Sequence, residues 1–140
     1  MRLIPTSPVS SRLIGAILAV SLGATAAMAK PPLRDVKEID DTLMQIAIAD
    51  EIRKTCDDIS ARMIRGLAQV NALESKAKSL GYSKDEIDDY VTSKSEKKRM
   101  RSKAEAWLAS QGVNAKDDKA LCAFGHAQID KATYIGSLLR

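Results

Sequence analysis

Apolar residues recur at steps of four and three from Ile59 through Met63, Leu67, Val70, Leu73 and Ala77 to Leu80. That period matches the turn of an α-helix and not the alternation of a half-buried strand. A stripe sustained this far predicts a helix with one face turned to a core. Its end is marked as clearly as its face. Gly81 can take the left-handed conformation that stops a helix. Ser83, with Glu86 three residues on, forms a capping box for the next helix, and Tyr82 stands where it can staple onto Ile87.

The same period runs on both sides. Val36, Ile39, Leu43, Ile46, Ala47 and Ala49 form a stripe ending near Lys54, with Asp50 placed four residues earlier for an exposed ion pair. Thr55 to Asp58 interrupts it, and Thr55 or Asp57 is expected to cap the helix carrying Ile59 to Leu80. A third helix is expected over about Lys84 to Ser93, burying Ile87, Tyr90 and Val91. A fourth, about Ser95 to Gln111, turns Met100, Ala104, Trp107 and Leu108 inward and is closed by Gly112. Ser93 and Ser95 are weak breaks, so these two are either separate or one bent helix. After a loop at Val113 to Lys116, Asp117 or Asp118 caps a last helix bearing Leu121, Phe124, Ala127 or Gln128, Ala132, Ile135, Leu138 and Leu139. Gly125 and Gly136 lie within it, each costing about 1 kcal/mol of helix propensity, which predicts close approach of a neighbouring helix. The expected fold is all-α, a single compact bundle of four to five helices over residues 36–140.

Residues 1–29 read as a cleaved secretory signal. Arg2 and Arg12 supply a basic start, Leu13 to Leu22 an uncharged apolar run, and Ala27 and Ala29 an A-x-A cleavage pattern. The apolar run is shorter than a bilayer-spanning helix requires, so no transmembrane segment is expected after cleavage. No Cys follows the cleavage site to accept a lipid, and the arginines are not paired as in a twin-arginine signal. Pro31 and Pro32 predict an extended lead-in over residues 30–35. Removing Arg2 and Arg12 from 22 basic residues leaves 20 against 18 acidic, so the net charge falls from +4 to +2. That balance is too weak to argue for nucleic acid.

Export changes the meaning of the two cysteines. Two Cys in an exported domain predict a disulfide, and Cys56–Cys122 is the one intramolecular pairing available. An intermolecular bridge or two free thiols are the alternatives. A redox-enzyme role would want the pair two residues apart.

Few residues suggest chemistry. One His and two distant Cys weigh against a zinc site, an iron–sulfur cluster or attached haem, and 4% aromatic content weighs against a base-stacking platform. His126 follows Cys122 by four residues on one helix face, but a disulfide there removes the thiolate. Asp85, Glu86, Asp88 and Asp89 crowd the start of a helix, where acids complement the dipole. Lys94, Lys97, Lys98, Arg99, Arg101 and Lys103 crowd ten residues opposed by Glu96 alone. Lys94, Lys97, Lys98 and Arg101 are the candidate partner-binding face, suited to an anionic envelope component or an acidic protein. Against that stands a merely solvated helix face, helped by Arg101–Glu105 at i,i+4. No phosphate loop, nucleophile elbow or metal-binding His pair occurs, so the chain is read as non-enzymatic and without a cofactor.

Arg53-Lys54-Thr55-Cys56, Ala61-Arg62-Met63, Gly81-Tyr82-Ser83, Glu86-Ile87-Asp88, Ala104-Glu105-Ala106-Trp107-Leu108, Leu121-Cys122-Ala123-Phe124-Gly125 and Gly136-Ser137-Leu138-Leu139-Arg140 follow one another after the signal. In this order they resemble a family of small exported bacterial proteins known only as a domain of unknown function. The resemblance covers nearly the whole chain after the signal and implies an exported helical domain with one Cys pair, and no activity. A looser likeness, of architecture alone, is to the acid-stress chaperones of the periplasm. The expectation is therefore a periplasmic or secreted interaction module that binds a protein or envelope partner. The alternatives are an acid-responsive chaperone and an inhibitor or accessory subunit of an exported enzyme.

Overall fold

Helix α1 (Lys37–Thr55) carries its apolar residues all round its circumference and not on one face, so no single neighbour can bury them. In the computed structural model, which describes residues 29–140, it is the central element. It touches α2 (Met63–Ser79), α4 (Lys94–Ser110), α5 (Asp118–Asp130) and the single-turn α6 (Tyr134–Ser137), while α3 (Lys84–Thr92) leans on α2 and α4. The expected signal over residues 1–29 lies outside the described residues, apart from Ala29.

The deepest apolar residues of α1 are Met44, Ile48 and Ile52; of the stripe read from the sequence, Ile39 and Ala49 are buried, whereas Leu43, Ile46 and Ala47 are half-buried. One stripe describes one face, and α1 is packed on several. Met44, Ile48 and Ile52 join Leu108, Leu121, Ile135, Leu138 and Leu139 in the main core, at whose edge Trp107 and Phe124 meet edge-to-face at 6.1 Å. A smaller cluster joins Leu33, Ile39, Ala77, Tyr82 and Ile87. Leu33 reaches it because residues Leu33–Asp35 form a 3-10 turn, so the lead-in over residues 30–35 is not extended throughout as expected.

Several turns match their local signals. Gly81 (φ +90°) and Gly112 (φ +76°) follow α2 and α4 in the left-handed conformation. The Ser83 hydroxyl accepts from the Glu86 N–H (3.1 Å), and the Glu86 carboxylate accepts from the Ser83 N–H (2.7 Å). Ser93 leaves helical geometry (φ −56°, ψ 128°) and accepts from the Glu96 N–H as the cap of α4, so α3 and α4 are separate helices. Asp117 caps α5.

Two helix boundaries are corrected as well. The second helix starts at Met63, behind Arg62, not near Asp57. Residues 57–62 are a loop held by the end of the chain. Ser60 and Arg140 exchange backbone hydrogen bonds at 2.8 Å each, and the Arg62 N–H donates to the Leu138 carbonyl at 2.8 Å. Ile59 is core, but from this loop and not from a helix. The last helix is also two. Ala132 takes a positive φ of 48°, and Thr133 caps the turn of α6. Gly136 then lies against the end of α5 so closely that a Cβ would fall 1.8 Å from the Gln128 carbonyl oxygen. Gly125 admits Ile52 and Ile59, whose methyl carbons would stand 2.7 and 2.8 Å from a Cβ.

Cys56, at the C-cap of α1, is bonded to Cys122 in α5 with a Cα–Cα distance of 5.6 Å. The bond ties the central helix to α5 just before the loop that leads into α2.

Candidate interaction surface

The basic run of α4 divides by helical phase. Arg99 and Lys103, four residues apart, turn toward α1 and meet Asp40, which is buried at 2% exposure. The guanidinium grips the carboxylate with both terminal nitrogens, the longer contact being 3.2 Å, and the Tyr90 hydroxyl donates to the same carboxylate. Lys103 also reaches Asp41, and Glu96 joins Arg99 to Arg34 of the lead-in. Burial pushes the Asp40 carboxyl up, but hydrogen bonds from Arg99, Lys103 and Tyr90 outweigh it and hold the group at about 2. Burial and the Asp40 carboxylate push the Tyr90 hydroxyl well above its usual range. This cluster ties α1, α3 and α4 together.

Lys94, Lys97, Lys98 and Arg101 are exposed on the other side of α4, and none joins an ion pair among the described residues. The Arg101–Glu105 pair expected from spacing does not form. The candidate face is thus a band of four free cations.

The larger surprise is on α2. Its apolar stripe is only partly core: Ala77 is buried and Leu73 half-buried, but Met63 is 65% exposed, Ile64 89%, Leu67 63% and Val70 42%. Only the second half of the helix lies in the small core cluster. The first half projects its apolar face into solvent, and Leu80 and Val91 are exposed as well. At the start of α2 an open groove of about 710 Å³ runs between the helix and the chain end. Met63, Ile64 and Ala68 line it together with Arg62, Arg65 and Arg140, and no acidic side chain does. Arg62 Nε donates to the Leu139 carbonyl at 2.9 Å and Arg65 to the Ser137 carbonyl at 3.3 Å, which orients both arginines along its rim.

A family model described as "Family of unknown function (DUF5333)" matches residues 31–140. The chain belongs to that family. No curated protein and no solved structure matches it. The DUF5333 match spans all six α-helices of the described residues, so the α2 and α4 surfaces both lie within it, as does the disulfide.

Other residues singled out in this DUF5333 chain have local partners. His126 Nε2 lies 2.8 Å from Asp58, joining α5 to the loop before α2. No group of three or more His, Cys, Asp or Glu able to hold a metal occurs among the described residues. Glu86 is engaged by its cap and by Lys30 at 2.7 Å, and Asp88 pairs with Lys84. A second depression of about 460 Å³ beside the lead-in holds both signs of charge, with Lys30, Arg34, Glu86 and Glu96 already paired across it. No described helix is long and apolar enough to cross a membrane.

The charge run of α4 marks it as a surface in the sequence; α2 carries no such mark. The stripe of α2 was visible, but nothing in it distinguishes a covered face from a bare one. Ile64, the most exposed of the four, lies off that stripe and beside it.

Proposed function

We propose that this chain is an exported, non-enzymatic helical module that binds a protein partner through the first half of α2. The observation that carries the reading is the exposure of Met63, Ile64, Leu67 and Val70 on one helix face. Large apolar side chains gathered on a surface are costly in water, and such patches characteristically mark interaction sites. The groove beside them supplies concavity, and the arginines supply polar edges, as in protein interfaces. Export is supported by the pattern of residues 1–29 and by the Cys56–Cys122 bond, which persists in oxidising compartments.

A second reading, contact with an anionic envelope component, is favoured by the free cations Lys94, Lys97, Lys98 and Arg101 on α4. Photo-crosslinking side chains placed singly at Ile64 and at Lys98 in cells producing the protein separate the two. A discrete protein adduct from position 64 supports the α2 reading, and an adduct from position 98 alone transfers the site to α4. Adducts from neither position overturn the interaction-module reading.

A further inference from the structure

We infer that the partner element seated on α2 is an amphipathic helix that carries carboxylates beside its apolar stripe. The inference rests on the preceding reading and specifies the chemistry of the occupant.

Met63, Leu67 and Val70 stand at i, i+4 and i+7, a ridge about 10.5 Å long at the helical rise, with Ile64 beside it. Ridges of this spacing are what a second helix packs against. Within the bundle, α1 and α3 contact α2, and this ridge is left bare.

Charge selects among the possible occupants. Arg62, Arg65 and Arg140 edge the groove without a carboxylate partner among the described ion pairs. Further along α2, Lys76 pairs with Glu38 and Lys78 with Glu74. The side-chain charge of α2 left without a partner therefore sits at the apolar end and is positive. A second copy of this chain fits badly. Parallel pairing would bring Arg62 and Arg65 against their own copies, and antiparallel pairing of the ridge would set Arg62 against Asn71 and Arg65 against Ala68, which offer the arginines no carboxylate. A lipid surface fits less well than a helix. The face offers no Trp or Tyr of the kind that anchors at headgroup level, and its arginines edge a concave groove. An acidic helix answers both the ridge and the arginines.

The test uses the full protein and three synthetic amphipathic helices that share one apolar stripe and differ in flanking residues: Glu, Gln or Lys. Binding is followed by fluorescence anisotropy and mapped by amide NMR shifts. The Glu-flanked peptide should bind about tenfold more tightly than the Gln-flanked one and shift α2 amides, and added salt should erase the advantage. I64D should abolish binding of the Glu-flanked peptide. R62E/R65E should reverse the preference toward the Lys-flanked peptide. Because Arg62 and Arg65 also hold the chain end, the salt titration on the unaltered protein tests the charge term independently. Equal binding of the Glu- and Lys-flanked peptides overturns the inference. So does concentration-dependent dimerisation lost in I64D, or binding to phosphatidylglycerol vesicles with no peptide binding. If position 64 crosslinks to a protein while the peptides show no charge preference, the module stands and the acidic helix falls.

Discussion

Asp40 and Arg99 lie 59 positions apart in the chain and meet as a two-pronged ion pair between α1 and α4, with the carboxylate sealed from water. A buried carboxylate is tolerable only with its charge matched and its oxygens hydrogen-bonded, and here Lys103 and Tyr90 complete the shell.

Truncating a partner should therefore cost more than its position in a surface lysine–arginine run suggests. R99A is expected to lower stability by about 2 kcal/mol, because it strips charged hydrogen bonds from a carboxylate that cannot reach water. R101A, two residues along the same helix but exposed, should change stability by less than about 0.5 kcal/mol. Paired urea titrations read both.

The acid response follows from the same group. The Asp40 carboxyl titrates at about 2 in the folded protein, against an ordinary value of 3.8. A depressed folded value means that its contribution is complete above pH 4 and is lost as the pH falls through 2. The amount is about 2 kcal/mol. Thermal melts should show this contribution intact between pH 7 and pH 5 and declining from pH 4 to pH 2, and D40N should flatten the decline. Opening at pH 5 that D40N abolishes would contradict the assignment and would favour an acid-responsive chaperone.

Exposure of α2 makes a sharper claim about packing. L67A should leave stability within about 0.5 kcal/mol of the unaltered protein, whereas I52A, at a side chain fully removed from water, should cost about 3 kcal/mol. A loss of several kcal/mol in monomeric L67A would mean that the face is covered within the chain.

Gly136 has no room for a methyl group, because the obstacle is the backbone of Gln128 and not a side chain that can turn aside. G136A should cost about 3 kcal/mol by separating α6 from α5. G66A should be neutral or slightly stabilising, since nothing stands near its Cβ position and Ala favours the helix. Calorimetry of the two variants distinguishes close packing from a general effect of Gly replacement.

Replacing Cys56 and Cys122 together by Ser should lower stability by about 4 kcal/mol, the chain-entropy value for closing a loop of this length. Guanidinium titrations of the oxidised protein and the double variant read the difference directly.

The features legible in the sequence are those written by neighbours a few residues apart. Gly81, the Ser83–Glu86 box and Gly112 each act through a single turn, and all three are where the spacing puts them. The loop before α2 was not legible, because its backbone partners are Leu138 and Arg140 at the other end of the chain. The break before α6 was hidden for a similar reason: Ala132 takes a left-handed turn that its side chain does not advertise. The candidate surface was half legible. A period of 3.6 finds a face of α2 but says nothing of what lies over it. The inward turn of Arg99 and Lys103 could have been suspected from Asp40, which stands beside Ile39 in an otherwise apolar stripe and needs a cation.

The pairing of residues 60–62 with 138–140 has a kinetic consequence. During synthesis α1, α2 and α3 emerge long before Leu138 and Leu139, and Cys56 long before Cys122. The early helices can coil locally, but the start of α2 has no seat until residues 138–140 arrive. Closing both long-range contacts is thus a late event, dominated by loop entropy that the early segments cannot offset. Until then the apolar face of α2 lies on a loosely held helix, and whatever meets the nascent chain encounters that face before the finished protein presents it.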